Sequence, residues 1–178
     1  MLLAVDIGNT NIVFGVHDGE AWRHHWRIHT SHHSMADEYV VMFRHLFAEV
    51  NLDFANFSNI VLSSVVPQLT GVIVEMFNTR CQITPLIVDY RANTGLEICV
   101  DPPEQLGSDL IANAAAAYHR FQENCIVVDF GTATTMTAIE KGGRLLGCAV
   151  TAGLQTTAKA ISNQASQLPQ IALDLPPS

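Results

Sequence analysis

The chain has 178 residues, 48% hydrophobic and 15% charged, a balance that supplies a substantial core and argues against disorder. Its formal net charge of -8 and the lack of any Lys/Arg-rich run give no electrostatic footprint for nucleic acid or for an anionic membrane surface, although a phosphate ligand stays open. The four cysteines, Cys81, Cys99, Cys125 and Cys148, contain no CxxC pair and read as reduced core thiols of a cytoplasmic protein. The N-terminus reaches Asp6 without a basic region or a long apolar stretch, so neither a signal peptide nor a membrane-spanning helix is expected.

LLAVDIGNTNIVFGV opens the chain as an apolar run holding one Asp, and His17-Asp18-Gly19-Glu20 turns it back into AWRHHWRI, which predicts a hairpin with a third strand adjoining. In SMADEYVVMFRHLFAEV, Ser34 is the capping candidate, and Tyr39, Phe43, Leu46, Phe47 and Val50 recur at helical spacing. NIVLSSVVP then predicts a buried strand, LTGVIVEMFN a helix and PLIVDY a second buried strand. RANTGLEICVDPPEQLG reads as loop-rich, and SDLIANAAAAYHRF as a strong helix. The remainder begins with NCIVVDFGTATTMTAI, whose hairpin partner is RLLGCAV. TAGLQTTAKAISNQASQL follows as loop and helix, and IALDL is a candidate short strand. Alternating strands and helices place the chain in the α/β class.

VDFGTATTM repeats the pattern of VDIGNTNIV: a shift of 123 positions carries Asp6 onto Asp129, Gly8 onto Gly131 and Gly19 onto Gly142. One unit used twice predicts two lobes, residues 1–107 and 108–178, the second shorter than the first and apparently incomplete, with apolar surface and an open sheet edge. An Asp at a buried strand end, followed by Gly and short polar side chains, sets a carboxylate beside a turn whose backbone N–H groups face a ligand. A carboxylate repels phosphate unless a cation intervenes, so the motif suggests a metal-bridged phosphate site with oxygen ligands suited to magnesium or a monovalent ion. One DxGxT is a weak signal; two facing copies would clamp the phosphates of a nucleotide.

VDIGNTNIVFGV, SSVVP, GSDLIANAAAAY and VVDFGTATT, in this order, resemble the type III pantothenate kinases, members of the acetate kinase, sugar kinase, heat-shock protein and actin superfamily. The resemblance implies two ribonuclease-H-like lobes and the phosphorylation of pantothenate by ATP to 4'-phosphopantothenate, the first step of coenzyme A synthesis. It also implies a homodimer that uses Mg2+ together with K+ or NH4+. It carries ATP binding onto Asp6, Ile7, Gly8, Asn9, Thr10, Asn11, Ile12 and Val13, with a second nucleotide contact at Thr132. Asp129 takes the monovalent cation, and Asp6 is the candidate magnesium contact through water. The family's Gly-x-Asp-Arg substrate signature falls on Gly107, Ser108, Asp109 and Leu110, with Asp109 as catalytic base. From the residues alone, Asp109 between a Gly turn and a helix start suits proton abstraction from an alcohol, while Ser108 or Asp109 would equally suit a helix cap.

Three positions depart from the family pattern: Leu110 stands for its Arg, Val100 for a substrate-contacting Tyr, and Thr151-Ala152-Gly153 for a Pro-Gly turn. Loss of the Arg removes a charge-assisted contact to a carboxylate, worth about 1.5 to 3 kcal/mol. Family chains also continue past residue 178. A noncatalytic relative and a kinase of another small hydroxylated substrate therefore stand beside the pantothenate reading. The cluster WRHHWRIHTSHHS lacks carboxylates or cysteines at ligand spacing, and Trp22 and Trp26, predicted on one strand face, read as hairpin packing. Asp37 and Glu38 read as helix-start acids.

Overall fold

The computed structural model describes residues 1–164, and the candidate strand IALDL lies outside them. The chain divides into two compact units, Met1–Thr94 with Pro102–Ala112, and Gly95–Asp101 with the chain from Asn113 onward.

In the first unit, β1 (Leu2–Ile7), β2 (Asn11–His17) and β3 (Trp22–His29) form an antiparallel meander. Next to β1 lies β4 (Asn59–Ser64), parallel to it, and then β5 (Leu86–Ile87), giving the order β3-β2-β1-β4-β5. Strand alternation sends Leu3, Val5, Ile7, Ile12, Phe14, Val16, Ile60 and Leu62 to one face, each at most 2% exposed. There they join Tyr39, Phe43 and Phe47 of α1 (Ala36–Ala48) and Leu69, Ile73 and Phe77 of α2 (Pro67–Cys81) in one core. The same alternation puts Asp6 and Ser63, register partners across β1 and β4, on the opposite face.

Three expectations need correction here. Ser34 does not cap α1: its hydroxyl lies 2.9 Å from that of Ser31, and the helix is closed instead by the Glu38 carboxylate accepting the Met35 N–H at 2.7 Å. Trp22 and Trp26 do not share a face, because a β-bulge near Arg23 shifts the register from Val16↔His24 to His17↔Trp22. Trp22 therefore covers Gly15, where a Cβ would sit 3.2 Å from its ring, whereas Trp26 stacks on Phe14 at 5.2 Å in the core. PLIVDY contributes only the two residues of β5, exposed at a sheet edge where a single neighbour covers them. The loop-rich stretch after it also holds β6 (Glu97–Ile98), which pairs in parallel with Arg144 and Leu145 of a strand far downstream.

The second unit repeats the meander: β7 (Cys125–Phe130), β8 (Ala133–Glu140) and β9 (Arg144–Ala152), in the sheet order β6-β9-β8-β7. β7 is β1 shifted by the same 123 positions. α3 (Ser108–Phe121) precedes the meander and α4 (Leu154–Gln164) follows it. Ile126, Val128, Phe130 and Met136, neighbours on one face of this sheet, are exposed. Of the thiols expected in the core, only Cys81 packs against one, that of the first unit. Cys99 and Cys148 are exposed on this unit's sheet, and Cys81 and Cys125 are half-buried; all four are free. Burial, with the Asp53 carboxylate adding to it, pushes the Cys81 thiol up to about 11, so it stays protonated at neutral pH. Among the described residues no helix is long and apolar enough to cross a membrane, and no three His, Cys, Asp or Glu side chains gather into a metal-binding group.

Candidate active site

In the first unit the loop after β1 begins at Gly8, two residues past Asp6, whose side chain is exposed near the strand end. Ile7 and Ile12 point into the core, so any contact they make with a ligand comes from their backbone, and Val13 is half-buried. Between them the Gly8 N–H donates to the Asn11 carbonyl at 3.0 Å, and a Cβ on Gly8 would lie 3.1 Å from that same oxygen. Thr30, 3% exposed, holds the loop from behind: its hydroxyl donates to the Gly8 carbonyl at 2.7 Å and its N–H to the Thr10 carbonyl at 2.9 Å. Asn9 and Thr10 are left on the outside of this clamped turn, and Asn11 is half-buried.

The start of α3 belongs to the same unit. Ser108 opens the helix, but its hydroxyl does not cap it. That oxygen accepts the Ser64 N–H at 2.8 Å, lies 2.9 Å from the Ser64 carbonyl and 3.2 Å from the Ser63 hydroxyl. Ser63 in turn donates to Asp6 Oδ1 at 2.8 Å. The next residue, Asp109, is half-buried in the first helical turn; its Oδ1 accepts the Leu110 N–H at 2.8 Å, and its carboxylate folds back over Gly107, where a Cβ would collide with it. Leu110 is 7% exposed and packs as an apolar core residue.

The second unit carries the other predicted positions. Asp129 is the penultimate residue of β7, and its Oδ2 accepts from Asn113 Nδ2 at 3.2 Å. The loop is one residue tighter than its counterpart, with the Gly131 N–H reaching the Ala133 carbonyl at 2.9 Å. The Thr132 carbonyl accepts the Gly153 N–H at 3.1 Å and the Thr156 hydroxyl at 2.9 Å. Val100, just after β6, is half-buried in this unit. Sequence reasoning missed Thr30, Ser63, Asn113 and Thr156; the SSVVP motif and the repeat, which places Gly153 at the position of Thr30, were the available signals.

Gly153 is where the turn allows no side chain. A Cβ there would sit 2.6 Å from the Thr132 carbonyl oxygen and closer still to that of Gly131, both backbone atoms that move only with the loop. Gly153→Ala is expected to destabilise the protein by about 1 to 3 kcal/mol, the usual cost of forcing extra atoms into packed surroundings. Thermal unfolding checks this; an unchanged midpoint would show that the loop yields freely.

A meander used twice, each copy carrying an Asp one residue before the end of its first strand and then a Gly turn, defines the class as an α/β protein of ribonuclease-H-like lobes. Solved structures support that fold. An activator of 2-hydroxyisocaproyl-CoA dehydratase from Clostridium difficile with bound ADPNP is 12% identical with a TM-score of 0.55, over 93% of this chain and 52% of that one. The ethanolamine utilization protein EutJ from Carboxydothermus hydrogenoformans is 17% identical at a TM-score of 0.52, over 94% and 57%. The family model for type III pantothenate kinase matches residues 2–178, and the chain belongs to that family. Among curated relatives, the type III pantothenate kinase of Anaeromyxobacter sp. (strain K) is 42% identical over 178 residues, all of this chain and 70% of that protein. That of Geobacillus kaustophilus (strain HTA426) is 40% identical over 176 residues, 99% of this chain and 68% of the relative.

Proposed function

We propose that this protein phosphorylates pantothenate with ATP to give 4'-phosphopantothenate and ADP, the first step of coenzyme A biosynthesis, and that it does so in the cytoplasm as a homodimer. Asp109 is the base: it takes the proton of the substrate's primary alcohol as that oxygen bonds to the γ-phosphorus and the bond to the ADP oxygen breaks. The backbone of Asp6 to Val13, with the Asn9, Thr10 and Asn11 side chains, receives the phosphates of ATP, and Thr132 makes the second nucleotide contact. Gly107, Ser108, Leu110 and Val100 belong to the substrate side, where Leu110 contributes packing and no charge.

Asp6 is an exposed carboxylate at the mouth of a loop rich in oxygen donors, a setting that fits Mg2+, which takes one or two carboxylates and completes its shell with water and substrate phosphates. When bound there, the metal neutralises charge on the transferring phosphoryl group. Asp129, held by Asn113, is the candidate for K+ or NH4+. The observation that carries the reading is the direct tether between these parts. Ser63 links Asp6, on the phosphate side, to the residue next to Asp109.

ATP turnover is expected to start on addition of pantothenate, to stop with EDTA, and to fall when K+ is replaced by Na+. Turnover indifferent to pantothenate would exclude it as the substrate and favour another small hydroxylated acceptor, consistent with the uncharged, buried Leu110.

A further inference from the structure

We infer that Ser63 is a positioning residue for Asp6, and that the Ser63 and Ser108 hydroxyls form a one-way hydrogen-bond relay from the β4 backbone to the Asp6 carboxylate. Both residues are buried, at 6% and 8% exposure, so the partners of each hydroxyl must be accounted for. A serine hydroxyl has one proton to give and an ionised carboxylate only accepts. The Ser63 proton therefore goes to Asp6 Oδ1, 2.8 Å away. That leaves Ser63 Oγ able only to accept across its 3.2 Å contact with Ser108, and the relay assigns the Ser108 proton to it. Ser108 Oγ, in turn, takes the Ser64 N–H at 2.8 Å.

Every donor then points the same way, from Ser64 N–H through Ser108 and Ser63 to Asp6. The Ser64 carbonyl, 2.9 Å from Ser108 Oγ, is the rival acceptor for the Ser108 proton. The negative charge on Asp6 polarises the Ser63 oxygen and makes it the better acceptor, which favours the relay. The relay fixes the direction of Asp6 Oδ1 at the strand end and anchors the first residue of α3, one position before Asp109. Alanine at 63 fills the same sheet position without the proton.

A double-mutant cycle on the full chain tests this, using Ser63→Ala, Ser108→Ala, both together, and Ser63→Thr, with kcat, KM, Mg·ATP affinity by calorimetry, and thermal midpoint as readouts. Its kinetic arm rests on the proposed pantothenate reaction; the calorimetric arm does not. Ser63→Ala is expected to lower kcat by about ten- to a hundredfold, the range for a lost hydrogen bond to a charged group, with the pantothenate KM within about threefold. The hydroxyl of Ser63→Thr restores most of the rate, and adding Ser108→Ala to Ser63→Ala costs less than about twofold more, because the relay is already broken. Wild-type kcat in Ser63→Ala, single effects that multiply, or a threonine variant that folds but rescues nothing would each overturn the relay. If the wild type leaves pantothenate untouched, the calorimetric cycle decides alone. Mg·ATP bound about tenfold more weakly by Ser63→Ala, restored by Ser63→Thr, supports the relay, and unchanged affinity overturns it.

Discussion

Asp109→Asn is expected to reduce kcat for pantothenate phosphorylation by about 10²- to 10⁴-fold, the span that a positioned general base contributes. The substitution is nearly isosteric, and the amide oxygen still accepts the Leu110 N–H that Asp109 Oδ1 accepts at 2.8 Å. What disappears is the ability to take a proton. The residue sits in the first turn of α3, where a negative charge favours the helix by about 0.3 to 1 kcal/mol, so only a small fall in thermal midpoint accompanies the loss of rate. ATP affinity should stay close to wild type, because the phosphate loop is a separate segment clamped by Thr30. Steady-state kinetics with parallel nucleotide-binding measurements separate the two effects. Retained kcat would remove Asp109 from the chemistry.

Phe47→Ala is expected to destabilise the protein by about 3 to 5 kcal/mol, the range for emptying a buried aromatic site. Phe47 is fully buried and is the hub of the first unit's aromatic cluster. Its ring centroid lies 5.0 Å from Phe57, 5.5 Å from Phe54, 5.6 Å from both Trp26 and Phe43, and 6.0 Å from Phe14. These residues come from β2, β3, α1 and the 3₁₀ turn Phe54–Asn56 with its flank, so the ring pins four segments at once. No single neighbour can fill the space without uncovering another contact. Denaturant unfolding measures the loss; a change below about 1 kcal/mol would mean the cluster collapses onto the cavity.

The duplicated meander was legible because strand alternation and the Asp-Gly turn are local signals, strong enough to align β1 with β7 residue for residue. Both loops and the α3 start were equally readable from their residues and motifs. The failures have a common physical source in partners distant along the chain. β6 is two residues long and exists through its pairing with Arg144 and Leu145, which no local pattern announces. The bulge near Arg23 reverses the face of Trp22 without any Gly or Pro to mark it. Apolar runs around Cys99 and Cys148 suggested burial, but the sheet they border leaves them exposed. Thr30 and Ser63 look like ordinary strand-end hydroxyls until the fold brings Gly8 and Asp6 to them, across 22 and 57 residues of chain.

The most direct test of the account is the product formed from ATP and pantothenate with Mg2+ and K+, identified by mass spectrometry. 4'-Phosphopantothenate in step with ADP, and absent with Asp109→Asn, is the predicted result. A folded wild-type protein that binds Mg·ATP yet forms no phosphorylated pantothenate would contradict it.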